Sequence, residues 1–224
     1  MAQSRIIRFS GVRGMIASKM HASLSEGAQL TYCAEVDASS LVKVRRDLNE
    51  SADTKIGFED VIIHALGSVF KDHPLLNGVI KDGAAYLSDN VNISVAVDIE
   101  TGLVAPTVFD IQSKTITQIS EARKELLERA RKGKLTVPEM TGGSFTISNL
   151  GLTRVQFFTP IINAPQIAML GFGRIEMKPV ANAKEDVVIR PMMGVSLTAD
   201  HRVVDGAPAG RFLTDFCTAI ENLA

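Results

Sequence analysis

The chain has 224 residues, 46% of them apolar, with 24 Lys and Arg against 25 Asp and Glu. That length can bury a full core without covalent staples, and the apolar content excludes a disordered chain. A net charge of −1 provides no electrostatic footprint for nucleic acid or an anionic membrane surface.

Cys33 and Cys217 are the two cysteines. They form neither a disulfide framework nor a metal-binding spacing, so a reducing compartment and no metal are expected. The opening MAQSRIIRFSGVRG lacks the apolar core of a secretion signal, and no run of 18 apolar residues suits a membrane span.

In chain order, Ser10 is placed to cap a first helix carrying Met15, Ile16, Met20 and Leu24. Gln29 to Asp37 reads as a strand, and Ser39 or Ser40 as the cap of a helix through Leu48. Gly57 to Phe70 has helical apolar spacing and ends at His73-Pro74. Asp82-Gly83 between two short apolar runs signals a hairpin. Val91 to Val97 alternates as a half-buried strand. Thr115 to Lys132 is the longest helix, with Ile116, Ile119, Ala122, Leu126 and Ala130 inward and Gly133 as its stop. Ser144–Ser148, Gln166–Phe172, Val187–Ile189 and Met192–Thr198 read as strands, and Ala207 to Asn222 as the last helix. Helices and strands mix without regular βαβ alternation, and no Gly-rich turn suits a dinucleotide. The expected fold is one α/β domain over residues 1–224, with a mixed or antiparallel sheet.

Two segments could carry chemistry. In Ser196-Leu-Thr-Ala-Asp-His-Arg-Val-Val-Asp-Gly206, a strand delivers His201 to a polar turn before a helix, where acids could orient it as a general base. The plainer alternative is a histidine bonded to local backbone. In Gly142-Gly-Ser-Phe-Thr-Ile-Ser-Asn-Leu-Gly151, the Ser148 hydroxyl at a strand end could stabilise an oxyanion. The alternative there is an ordinary turn. His21, His64 and His73 sit in no comparable cluster.

His201-Arg-Val-Val-Asp205-Gly206 has the HxxxDG pattern of acyltransferases built like chloramphenicol acetyltransferase. The longer run Ala199 to Ala207 resembles the dihydrolipoamide acyltransferases at the core of 2-oxo acid dehydrogenase complexes. The 142–151 run is similar to their second signature, and Pro160-Ile-Ile-Asn-Ala-Pro165, Gly102 to Val108 and Gly11 to Ala17 are similar too. The resemblance covers the chain in order. It implies a chloramphenicol acetyltransferase-like mixed sheet flanked by helices, and acyl transfer between dihydrolipoamide and coenzyme A. His201 would be the base and Ser148 the oxyanion donor. Asp205 would hold the loop, paired with Arg13. Arg13, Asn149 and Gly206 would contact coenzyme A.

The same resemblance implies a homotrimer with the site between subunits, assembled into a cubic or icosahedral core with the other complex components. His201 and Ser148 of one chain would then lie too far apart to act together. A cytoplasmic setting is favoured, with the mitochondrial matrix as the alternative. Acetyl is the first acyl choice, then branched-chain acyl, then succinyl. The chain departs from the pattern at Gly14 and Ser18, where basic residues are usual, and in Leu152 to Phe158. It also carries no lipoyl domain, peripheral-subunit-binding domain or Ala/Pro linker, so lipoamide would come from a separate domain or protein. A non-catalytic scaffold and a small-molecule O-acetyltransferase are the competing readings.

Overall fold

The computed structural model describes residues 6, 8–51, 55–99 and 102–224; Met1–Arg5, part of the stretch read above for a leader, lie outside them. The first helix, α1 (Gly11–Glu26), is followed by β1 (Gln29–Asp37), α2 (Ser39–Ser51) and α3 (Phe58–Val69). Next come the hairpin β2 (Gly78–Lys81) and β3 (Ala84–Leu87), then β4 (Ile93–Ile99), β5 (Gly102–Val104) and β6 (Thr107–Val108). The chain continues through α4 (Ile116–Arg131), α5 (Val137–Thr141), β7 (Phe145–Asn149), β8 (Ala168–Ala181), β9 (Val187–Asp200) and α6 (Gly206–Glu221).

Seven strands form one sheet in the order β1-β9-β8-β7-β4-β5, with β6 also on β4. β7 runs parallel to β4 and β8, and the other pairings are antiparallel. The mixed sheet expected from the sequence is therefore present. Its two faces differ in chemistry, as strand alternation requires. One face carries Phe145, Ile147, Leu170, Phe172, Val195 and Leu197, all buried with Val61 and Ile62 of α3 and Phe212 and Phe216 of α6. Phe70 ties these layers together, with ring centroids 5.0 Å from Phe145 and 5.3 Å from Phe212. Burying such a side chain contributes roughly 1.5–3 kcal/mol, so this face dominates stability.

The other face is polar yet buried. Ser94, Thr146, Ser196 and Thr198 are each 1% exposed. Their hydroxyls are satisfied locally, because an unpaired buried hydroxyl is costly. Thr146 donates to Gln166 and accepts from Asn163 Nδ2 at 3.1 Å. Gln166 Nε2 reaches Ser94 Oγ at 3.4 Å, and Ser94 pairs with Thr107 at 3.0 Å. Thr31 and Thr198 share a bond of 2.8 Å. The lid over this face is the irregular 150–167 segment together with α1, joined where Ser23 Oγ donates to the Ile162 carbonyl at 2.6 Å.

Several local expectations hold. The hairpin turns through Asp82 and Gly83 at φ 51° and 76°, the left-handed pair a tight two-residue loop needs. Thr115 caps α4 in a reciprocal box with Gln118, and Gly133 follows at φ 64°.

Others need correction. Ser10 occupies the N-cap of α1 without a side-chain bond, and only Ser23 of that helix is buried. Met15 is 65% and Leu24 53% exposed while Ile16 and Met20 are half-buried, so part of the helix's apolar surface is left uncovered within one chain. Neither serine is the cap of α2: Ser39 is its first residue, its N–H donates to Asp37 Oδ1 at 2.8 Å, and Ser40 Oγ donates to the Glu221 carbonyl. The two strands expected either side of Pro191 are one, β9. Proline breaks a ladder only where its N–H is needed. Here β1 pairing stops at Asp37↔Met192, and the Pro191 carbonyl still accepts from Ala38 N.

Candidate active site

His201 begins the turn that follows β9. Its backbone N–H donates to the Ala28 carbonyl at 2.8 Å, and the N–H groups of Val203 and Val204 return to the Asp200 carbonyl at 2.9 and 3.0 Å. Asp200, with its side chain 4% exposed, clamps the turn from below. Its carboxylate accepts from Arg202 N and Nε, from Arg202 Nη2 at 2.6 Å, and from Ala28 N at 3.3 Å. Burial alone would raise the Asp200 pKa, but the bonds from Arg202 and Ala28 outweigh it and hold the carboxyl below its ordinary value. The imidazole itself stays 43% exposed, with Asp205 Oδ1 3.6 Å from Nδ1. Asp205 is the N-cap of α6, where the helix dipole favours a negative charge. Gly206 is the first residue of that helix, near the Tyr32 hydroxyl, which is buried with no hydrogen-bond partner among the described residues.

Ser148 sits near the end of β7, half-buried on the polar face. Its cross-strand neighbours are Ala96 on β4 and Gly171 on β8. Gly171 is required there: a Cβ on it would meet the Phe158 ring at 2.5 Å, so that ring lies on the Ser148 side of the sheet. Gly173 and Gly194 likewise make room for the Gln156 carbonyl of the crossing segment. Sequence reasoning missed Phe158 as a wall beside Ser148. The only trace was that Leu152 to Phe158 departs from the usual pattern.

Within one chain the two candidate residues are far apart. Ser148 registers with Gly171, and Gly171 with Ser196. His201 lies five residues beyond Ser196, roughly 16 Å along the strand direction and roughly 10 Å across two strand spacings. No motion of a side chain bridges that gap.

The expected Arg13–Asp205 pair does not form in the chain. Arg13 is exposed on the first turn of α1, where Val12 and Ile16 lean on Gly102 of β5. β5 is the opposite sheet edge from β1 and β9. Asp205 has His201 as its ion-pair neighbour, and Arg13 makes no ion pair among the described residues. Asn149, expected on coenzyme A, turns its amide inward instead: Nδ2 donates to Glu59 Oε1 at 3.1 Å and Oδ1 accepts from Gly151 N at 2.7 Å. Lys19, on α1, donates to Asn163 Oδ1 at 2.5 Å, and its pKa is lowered by burial. No group of three or more His, Cys, Asp or Glu among the described residues could hold a metal ion. None of their helices is long and apolar enough to cross a membrane.

Comparison with known proteins places the chain in a family. Residues 1–224 match the family model of the 2-oxoacid dehydrogenases acyltransferase catalytic domain. The chain is 36% identical over 222 residues to the dihydrolipoyllysine-residue acetyltransferase component of the Rickettsia prowazekii pyruvate dehydrogenase complex, covering 97% of this chain and 54% of that protein. It is 38% identical over 220 residues to the succinyltransferase component of the Saccharomyces cerevisiae 2-oxoglutarate dehydrogenase complex, covering 96% and 47%. The chain thus spans about half the length of these relatives.

Among solved structures, the Azotobacter vinelandii dihydrolipoamide acetyltransferase superposes with a TM-score of 0.93 at 29% identity, covering 99% of this chain and 93% of that one. A serine, a histidine and an asparagine have been investigated for their role in that enzyme's catalytic mechanism. The cubic core of a pyruvate dehydrogenase multienzyme complex gives the same score, identity and coverage. Chloramphenicol acetyltransferase, at 16% identity and a TM-score of 0.56 over 98% of both chains, shares the fold alone. The chain belongs to the family of 2-oxoacid dehydrogenase acyltransferase catalytic domains.

Proposed function

We propose that this chain transfers an acyl group, acetyl first, between dihydrolipoamide and coenzyme A, with His201 as the base. The observation that carries the reading is the His201 turn. Its backbone is pinned on both sides by Ala28 and by the Asp200–Arg202 clamp, yet its imidazole is 43% exposed. A rigid histidine open to substrate is what proton transfer needs. A carboxylate 3.6 Å from Nδ1 favours a proton on that nitrogen and leaves Nε2 as the base.

Free thiols are mostly protonated at neutral pH. His201 takes the coenzyme A thiol proton as the sulfur attacks the acyl-lipoamide carbonyl carbon. Ser148 donates its hydroxyl to the oxygen that gains charge in the tetrahedral intermediate. The carbon–sulfur bond to lipoamide then breaks, and His201 returns the proton to the departing dihydrolipoamide sulfur. Both ends of the exchange are thioester and thiol, so the reaction runs in either direction.

Because His201 and Ser148 of one chain stand so far apart, His201 of one subunit works with Ser148 of its neighbour. The uncovered α1 face, with Met15 and Leu24 exposed, supports burial between subunits of a trimer, and trimers build a larger core with the other components of a 2-oxo acid dehydrogenase complex. In that assembly Arg13 and Gly206 lie toward coenzyme A, and Asp205 holds the loop. The lipoyl group is delivered by a domain outside residues 1–224, in a reducing compartment that is the bacterial or archaeal cytoplasm or the mitochondrial matrix. Acetyl ranks above branched-chain acyl and succinyl. Pocket shape separates such groups by only about 1–3 kcal/mol per methylene, and the relatives include both acetyl and succinyl enzymes.

The test is acyl transfer from acetyl-coenzyme A to free dihydrolipoamide, wild type beside His201→Ala. Activity lost in the variant supports the reading. Equal activity in the two folded, assembled proteins contradicts it.

A further inference from the structure

The Ser148 end of β7 is tied to the helical layer by charged groups that the reaction does not use. Ser148 and Asn149 are consecutive in a strand, so their side chains leave opposite faces of the sheet. Asn149 Nδ2 donates to Glu59 Oε1 at 3.1 Å, on the first turn of α3. The other Glu59 oxygen accepts from Arg123 Nη1 of α4 at 2.8 Å. Arg123 also grips Asp60 through Nε at 2.5 Å and Nη2 at 3.2 Å, and Asp60 in turn accepts from Gly57 N at 2.7 Å. These groups are shielded: the side chains of Asp60, Arg123 and Glu59 are 0%, 15% and 21% exposed.

Asp60 alone is enough to neutralise Arg123. A second carboxylate leaves one guanidinium facing two acids in a shielded place, and a surplus buried charge is unfavourable to stability. The first turn of α3 favours an acid through the helix dipole, and the Glu59 bond to Asn149 links that turn to the end of β7. The same asparagine accepts from Gly151 N at 2.7 Å, so one side chain fixes both the end of the strand and the turn that leaves it.

We propose that Glu59, oriented by Arg123, is a positioning residue that sets the Ser148 hydroxyl through Asn149. The inference rests on the reading of Ser148 as the oxyanion donor. Such a donor acts only within about 2.7–3.1 Å of the charged oxygen, and a misplacement of about 1 Å can cost about 10²-fold. Glu59 acts at one remove, so its loss is expected to lower kcat by about 10-fold, with KM for both substrates held.

The experiment is a double-mutant cycle on assembled protein, with Glu59→Ala, Ser148→Ala and the pair, each assayed for kcat and KM. Glu59→Gln, which keeps an oxygen for Asn149, retains most of the turnover. Asn149→Ala breaks the same link while leaving the Arg123–Glu59 pair intact, and serves if Glu59→Ala fails to assemble. The proposal predicts that Glu59→Ala, or Asn149→Ala, lowers kcat in the Ser148 background and leaves it unchanged in the Ser148→Ala background. Equal losses in both backgrounds, or a change confined to KM, overturn the proposal while Ser148 keeps its role. Wild-type turnover in Ser148→Ala overturns the Ser148 reading itself, and this inference with it.

Discussion

The two ends of the sheet hold their functional side chains in opposite ways. At the His201 end the side-chain clamp is local: Asp200, Arg202 and the turn to Val204 are sequence neighbours, and the distant partners are backbone groups of Ala28 and Ile167. At the Ser148 end only the Asn149–Gly151 bond is between near neighbours in sequence, and the other groups come from afar. Phe158 comes from the crossing segment, Glu59 from α3 and Arg123 from α4. The first arrangement fixes a backbone and leaves a ring open to solvent. The second embeds a hydroxyl in a wall assembled from the whole domain. The two ends lie apart along the strands, and in the proposed function each supplies half of a site.

This contrast can be broken in graded steps. The largest effect is expected at the exposed end. His201→Ala should lower turnover by about 10²–10⁴-fold, the range for a positioned base, with the thermal unfolding midpoint nearly unchanged because the ring packs against little. A large loss of stability instead would make His201 a structural residue. Ser148→Ala should cost less, about 10²–10³-fold in kcat, the range for one oxyanion donor. Steady-state kinetics with saturating dihydrolipoamide would show it, and a rise in KM alone would move Ser148 from the reaction to binding.

The smallest effect belongs to the clamp. Asp200 is held below its ordinary pKa, so its contribution to stability is complete above the unfolded carboxylate value of about 3.9. It is lost as pH falls through the lower folded value. The stability gap between wild type and Asp200→Asn should be constant above about pH 4 and should narrow below it. Thermal unfolding across that range would measure it. Arg202 is 48% exposed, so solvent screens the pair and the gap should be modest. A gap that widens in acid would contradict the assignment.

The same contrast explains what the sequence revealed. The His201 turn was legible because its parts are contiguous, and the DHRVVDG run announces both the histidine and its clamp. Ser148 was legible as a strand end after two glycines. Phe158, Glu59 and Arg123 were not, because each reaches the site through pairing set by sheet order rather than by spacing. The Arg13–Asp205 pair is not made within one chain, since the start of α1 lies at the β5 edge while Asp205 follows β9. Element types were mostly readable from periodicity. The union of two expected strands into β9 was not, because Pro191 looks like a break until its neighbours show that the missing N–H has no partner to lose. The apolar face of α1 was the most misleading feature: Met15 and Leu24 are exposed in the single chain, and the proposed trimer is what would cover them.

The central claim is that each site takes His201 from one subunit and Ser148 from another. It is tested most directly by mixing two inactive proteins, His201→Ala and Ser148→Ala, dissociating them together and reassembling the mixture. Random reassembly in equal amounts should pair an intact histidine with an intact serine at about a quarter of the sites, so activity should return to about a quarter of wild type. A mixed assembly that forms and stays as inactive as its two parents would contradict the account.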